Sequence, residues 1–233
     1  EEAVVLIRGT KGTAVKLLIQ HEGDTSSFEI EIIRGEIRLV SVSLDMKGDI
    51  AYIRISHFTE QTDKELLPVL GNISQNGATG IIIDLRSNPG GGLNAVVDVA
   101  SHFIKDGVII STIDNKGRKE TLSVTPGSIT TDLPMVVLTN NYSASASEVL
   151  AGALQEYGRA TIAGTRTYGK GSVNQFFELK DGSGIYLTIG RWLTPKGRMI
   201  EGQGIDPDPE ATFTLTGDDA VQWAVDFLHR KQR

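Results

Sequence analysis

Residues Ile81-Ile82-Ile83-Asp84-Leu85 form an almost unbroken apolar run, after which the chain turns through Arg86-Ser87-Asn88-Pro89-Gly90-Gly91-Gly92. Aliphatic residues that do not alternate with polar ones describe a strand covered on both faces, the kind found in parallel sheets wrapped by helices. Leu93, Val96, Val97, Ala100, Phe103 and Ile104 follow at helical spacing. A strand, a glycine-rich turn and a helix in that order constrain the chain to an α/β architecture. The order returns at residues 135–138, which lead through Asn140-Asn141-Tyr142 into a helix over 145–157 and a short strand over 161–163.

Other segments fit around this frame. Residues 40–44 and 50–55 read as strands joined by a Lys-Gly turn. Thr62-Asp63-Lys64-Glu65 has the spacing of a capping box, opening a helix that carries Leu66, Leu70 and Ile73 on one face. Pro68 inside that helix predicts a later start or a kink. Residues 108–113 and 120–124 flank an Asn-Lys-Gly turn and predict a hairpin; 185–205 read as a hairpin-like extension and 218–229 as a final amphipathic helix. Residues 1–34 differ: one short helix (1–8) and two alternating strands (15–19 and 28–33) cannot bury a core alone, so they are expected to be part of a larger domain.

A net charge of −6 argues against nucleic acid or an anionic membrane as the main partner. No apolar run approaches the length of a membrane span. The absence of cysteine excludes thiol nucleophiles, disulfides and cysteine metal sites. His21, His57, His102 and His229 are scattered without metal-ligand spacing.

The segment from Asn141 to Gln175 carries the chemistry. Small residues crowd a run of serines, and one lysine lies between Gly169 and Gly171. Ser145-Ala146-Ser147-Glu148 fits a capping box, and a helix start alone would explain it. A helix start also offers free N–H groups and a favourable dipole to a developing oxyanion, so capping and catalysis are compatible. A serine nucleophile needs a base, and a lysine serves when desolvation favours its neutral amine. Gly164 and Gly169 stand where a phosphate loop requires glycines before Lys170. That reading fails because a strand, not a helix, is expected to follow the lysine, and Gly171 replaces the required hydroxyl residue.

Ser143-Ala144-Ser145-Ala146-Ser147-Glu148, then Ala151-Gly152-Ala153-Leu154, then Tyr168-Gly169-Lys170-Gly171-Ser172-Val173, resembles the carboxyl-terminal processing peptidases, or tail-specific proteases. Asp84-Leu85-Arg86-Ser87-Asn88-Pro89-Gly90-Gly91 resembles a further motif of that family, and residues 187–198 and 202–208 also match it. The resemblance implies a serine endopeptidase with a Ser–Lys dyad that cuts proteins near their C-termini through an acyl-enzyme. Ser145 would be the nucleophile and Lys170 the general base, with Ala146 and either Gly90 or Gly91 donating N–H groups to the oxyanion. Where the family often has a glutamine four residues after the lysine, this chain has Asn174, which is expected to orient Lys170. Gln175 lies one residue later and would need a bulge to reach the same face.

The resemblance further implies a protease core over residues 35–233, with a mixed, largely parallel sheet flanked by helices. Residues 1–34 would be the last helix and strands of a partial PDZ domain. Expected partners are protein or peptide substrates with accessible C-terminal tails, with no cofactor, no metal and no nucleic acid. The expected location is extracytoplasmic, in the periplasm or at the exterior of a bacterial cell envelope. The alternative is a catalytically inactive scaffold or partner-binding protein of the same fold, favoured by Asn174 and the shortened PDZ portion.

Overall fold

The computed structural model describes residues 2–36, 40–127 and 131–231, in two units, 1–39 and 40–233. In the first unit a short helix, α1 (Glu2–Ile7), precedes the antiparallel pair β1 (Ala14–Ile19) and β2 (Phe28–Ile33). Arg34 ties these pieces together, donating to the carbonyls of Ile7 and Ala14 and to the Thr13 hydroxyl. β1 alternates half-buried and exposed residues and β2 is exposed throughout. Among the described residues none of the fully buried side chains comes from this unit, as expected of a two-stranded piece with no second layer.

The second unit is built on a five-stranded sheet. Its elements are β3 (Val42–Lys47), β4 (Ile50–Ile55), α2 (Thr62–Gln75), β5 (Gly80–Asp84), α3 (Leu93–Ser101), β6 (Val108–Ile113), β7 (Lys119–Ser123), β8 (Met135–Thr139), α4 (Ala146–Glu156), β9 (Thr161–Gly164), β10 (Ser172–Glu178), β11 (Gly184–Leu193) and α5 (Gly217–Lys231). The sheet order is β3-β4-β5-β8-β9, antiparallel at β3–β4 and parallel thereafter. The central strands are covered on both faces. Ile81, Ile83 and Val137 pack with α2, α3 and α4, while Ile82, Val136 and Leu138 pack with α5. This two-sided burial is the physical reason for the unbroken apolar run.

Three features depart from the sequence reading. The hairpin at 108–124 and the segment 172–193 join into a second, antiparallel sheet in the order β10-β11-β6-β7. The Thr62–Glu65 capping box is not formed: Glu65 instead accepts from the Ser41 N–H and hydroxyl at 2.7 Å each, and Gln61 takes the cap position. The helix also continues through Pro68. An interior proline costs about 3 kcal/mol, but burying Leu66, Leu70 and Ile73 offsets it at about 1.5–3 kcal/mol each.

Candidate active site

The connections after β5, β8 and β9 leave the carboxyl ends of neighbouring parallel strands, where open α/β sheets place their ligand sites. The connection after β8 carries Ser143 and Ser145, and Ser147 follows in the first turn of α4. Ser143 is buried and donates to the Leu85 carbonyl; Ser147 is buried and donates to the Asn88 carbonyl. Ser145 is half-buried at the head of α4, with φ 55° and ψ −116°. A non-glycine residue in that conformation is strained by about 1–3 kcal/mol. A sharp strand-to-helix elbow of this kind lifts a nucleophile out of an α/β sheet.

The connection after β5 lies against that elbow. Asn88 is fully buried: its Nδ2 donates to the Ile55 carbonyl, its Oδ1 accepts the Gly90 N–H at 2.8 Å, and its carbonyl accepts the Ala144 N–H. Gly90 has φ 101°, and a Cβ there would stand 2.8 Å from Ser145 Cβ and 2.9 Å from the Ala146 nitrogen. Only glycine permits this approach. The Gly90 N–H is therefore occupied, whereas among the described residues neither the Gly91 nor the Ala146 N–H meets an acceptor.

The connection after β9 carries Lys170, and Glu148 holds it. Glu148 is fully buried in the first turn of α4. Its Oε2 accepts the backbone N–H of Ser145 and of Lys170, each at 2.8 Å; its Oε1 accepts the Thr167 hydroxyl and the Gly169 N–H, each at 2.6 Å. Four donors on one carboxylate satisfy it in a place where an unpaired charge would be costly. The turn is gripped from its other side as well. The Gly171 N–H donates to Glu201, the Gly169 carbonyl accepts the Gly202 N–H, and a Cβ on Gly171 would collide with the Glu201 backbone.

The structure thus brings Ser145, Ala146 and Gly90 together and ties the backbone of Lys170 to them. The lysine side chain itself is exposed, and among the described residues no hydrogen bond or ion pair reaches its ammonium or links it to Ser145. This differs from the expected dry amine: the turn is anchored through its main chain, leaving the long side chain in water. Asn174 is engaged within the second sheet, donating to the Ser172 hydroxyl and accepting from Thr188 at 2.7 Å. A bulge does occur there, but the pairing steps from Val173↔Gly190 to Asn174↔Thr188. The extra residue is thus Ile189 on the neighbouring strand, and Gln175 stays on the opposite face of β10 from Asn174.

Sequence reasoning saw Glu148 only as a helix cap. Its Ser-x-x-Glu spacing located the bond to Ser145, but nothing local to it announced the bonds to residues 167–170. Asn88 was likewise seen only as part of a motif. Among the described residues no group of acidic, histidine or cysteine side chains is arranged to hold a metal ion.

A strained serine at a helix start and a glycine loop packed against it, above a largely parallel sheet, agree with the family comparison: the chain belongs to peptidase family S41, whose model matches residues 49–211. The Synechocystis carboxyl-terminal-processing protease is 38% identical over 241 residues, covering 98% of this chain and 56% of that protein. Carboxy-terminal processing protease CtpA of Bacillus subtilis is 39% identical over 212 residues, covering 90% and 45%. Among solved structures, a photosystem II D1 C-terminal processing protease matches with a TM-score of 0.71 and 30% identity, covering 88% of this chain and 57% of that one. The chain spans about half the length of the curated relatives it matches.

Proposed function

We propose that this chain is a serine endopeptidase that cuts proteins near their C-termini through an acyl-enzyme. Ser145 Oγ attacks the scissile carbonyl, Lys170 takes the hydroxyl proton, and the same amine returns it to the leaving nitrogen. The Ala146 and Gly91 N–H groups receive the oxyanion. Gly91 is preferred over Gly90 because the Gly90 N–H is already donated to Asn88. A substrate lying across Ser145 shields Lys170 from water, and desolvation favours the neutral amine that the mechanism requires. Asn174 Oδ1 keeps a second lone pair beyond its bond to Thr188, which suits it to orient the lysine once the side chain turns inward.

The observation that carries this reading is the joint tethering of the Ser145 elbow and the Lys170 turn by the buried Glu148 carboxylate. Residues 1–34 are read as part of a PDZ domain, and the location as outside the bacterial cytoplasm. The names of the relatives support the C-terminal specificity.

The test is cleavage of a protein with an unstructured C-terminal tail by Ser145→Ala and Lys170→Ala, with new amino termini identified by mass spectrometry. Both substitutions should lower kcat by about a thousandfold or more. Undiminished cleavage by Ser145→Ala removes that residue as nucleophile. No cleavage by the unsubstituted chain on any tail points to the catalytically silent scaffold.

A further inference from the structure

The four-stranded sheet begins at the lysine turn, and one of its faces is cationic. From Arg166 to Gly171 the chain alternates exposed and buried residues, with Lys170 exposed and Gly171 buried. Side chains of an extended segment alternate between faces, so Lys170 and Ser172 leave it on the same side. Ser172 is paired with Arg191, Arg191 with Ile113, and Ile113 with Lys119. Directly opposed residues share a face. A row crossing all four strands therefore presents Ser172, Arg191, Ile113 and Lys119 on the face of Lys170. By the spacings of a sheet, the Arg191 Cα lies about 8 Å from that of Lys170, about 7 Å along β10 and about 5 Å across to β11.

A cavity of about 780 Å3 lies on this row. Ile113, Ile189 and Met199 contribute apolar surface, and Arg191, Lys116 and Arg118 stand around it. Among the described residues, Asp114 is the one acidic group in the lining, and it is taken up by its own turn. Its Oδ1 accepts the Lys116 and Arg118 N–H groups, and its Oδ2 accepts Arg118 Nε at 2.6 Å. Glu120, beside Lys119 on β7, falls on the opposite face. Lys116, Lys119 and Arg191 are thus left in excess, on a chain whose net charge is −6. Arg191 is half-buried; its Nη1 donates to the Gly190 carbonyl at 3.3 Å, and among the described residues its guanidinium meets no carboxylate. A guanidinium fork beside apolar surface binds a carboxylate in two-point geometry.

Resting on the reading of Ser145 and Lys170 as the cleaving pair, we propose that this cleft selects substrates with an aspartate or glutamate side chain within about three residues of the bond cut. Arg191 holds the side-chain carboxylate, and Lys116 and Lys119 add to the attraction. An extended chain covers about 3.3 Å per residue, so two or three residues span the distance from the lysine to the arginine. The carboxylate is gripped equally before and during the chemical step, so the cleft lowers KM and leaves kcat as it is.

The experiment uses a set of tail peptides, all capped as C-terminal amides, in which one aspartate is moved across the positions on either side of the cut and compared with asparagine. At one position aspartate should lower KM by about fivefold, with kcat unchanged, and salt at about 0.5 M should shrink that ratio below about twofold. Arg191→Gln should abolish the preference without raising KM for the asparagine peptide, while thermal unfolding shows the chain still folded. Arg191→Glu should reverse it, favouring lysine at the same position, and Lys116→Gln, in a turn, should weaken it. A preference at no position, or one that survives both Arg191 variants, overturns the proposal. Binding of phosphatidylglycerol vesicles that Arg191→Gln abolishes, with no preference among peptides, assigns the cleft to a lipid surface and overturns it too. Fluorescence anisotropy of the same peptides with Ser145→Ala separates the two readings. Cleavage lost in that variant with no preference for aspartate overturns the cleft and leaves the protease. Cleavage that persists in Ser145→Ala, with aspartate still bound more tightly, overturns the nucleophile and leaves the cleft.

Discussion

The backbone N–H groups of Ser145 and Lys170 donate to the same oxygen, Oε2 of Glu148, at 2.8 Å each. Twenty-five positions separate the two residues in sequence (170 − 145), and one carboxylate fixes the distance between their main chains. The serine elbow and the lysine turn therefore move as one piece, while the lysine side chain stays free to change its direction.

Replacing Glu148 with glutamine keeps its shape but turns an acceptor into a donor among N–H and O–H groups that all donate. At least one pair of donors then faces each other without an acceptor, at a cost of about 1–3 kcal/mol. Urea unfolding should show that loss. Displacement of the turn by a fraction of an ångström should lower kcat by about a hundredfold. A Glu148→Gln chain with unaltered kcat would show that the tether does not position the lysine.

Gly90→Ala and Gly171→Ala test the two close approaches. An alanine Cβ at position 90 would lie 2.7 Å from the Ala144 carbonyl and 2.8 Å from Ser145 Cβ, and one at 171 would collide with Glu201. Both variants should lose most peptidase activity. Circular dichroism should retain the sheet and helix signal, because neither glycine lies inside a strand or helix.

Asn88 is the buried link between β4, the glycine loop and the serine elbow. Asn88→Ala leaves the Ile55 carbonyl and the Gly90 N–H without these partners, and each buried orphan costs about 1–3 kcal/mol. Its denaturation midpoint should fall accordingly. A midpoint equal to that of the unsubstituted chain would mean that water replaces both bonds.

Tyr52 supplies a pH test. Burial, and then its hydrogen bond to Asp84, push its phenol above the usual value of 10.0. The folded state thus holds this proton more tightly than the unfolded one. The resulting stability is complete below the ordinary tyrosine value and is lost as pH rises through the raised one. Absorbance at about 295 nm should show a phenol that ionises above the usual tyrosine value, and Tyr52→Phe should remove that phase along with its share of alkaline destabilisation. An alkaline titration that Tyr52→Phe leaves unchanged at its high-pH end would contradict the raised Tyr52 phenol.

Much of the fold was legible because its signals are local. The run at 81–85 could be a doubly covered strand before any contact was known, and Ile82 indeed faces α5 while Ile81 and Ile83 face the opposite helices. The serine elbow was legible too, since few segments other than a turn before a helix place so many small residues ahead of Ser-x-x-Glu. The second sheet was not: residues 108–124 read as one hairpin, the segment after the lysine as a strand and 185–205 as a separate hairpin-like extension, and the pairing of Leu193 with Ser111 depends on where the chain returns after more than seventy residues. The Thr62–Glu65 box failed for a related reason, because Ser41, from a distant segment, competed for the Glu65 carboxylate.

What the sequence determined by itself is the alternation of apolar strands, glycine turns and amphipathic helices, and with it an α/β body carrying Ser145 at a helix start. These follow from periodicity and backbone preference, which act over a few residues. Tertiary structure decided which glycine N–H is left open, which carboxylate binds the lysine turn, and where that lysine side chain rests. Each depends on hydrogen-bond competition between segments tens of residues apart, settled only when the strand ends are brought side by side.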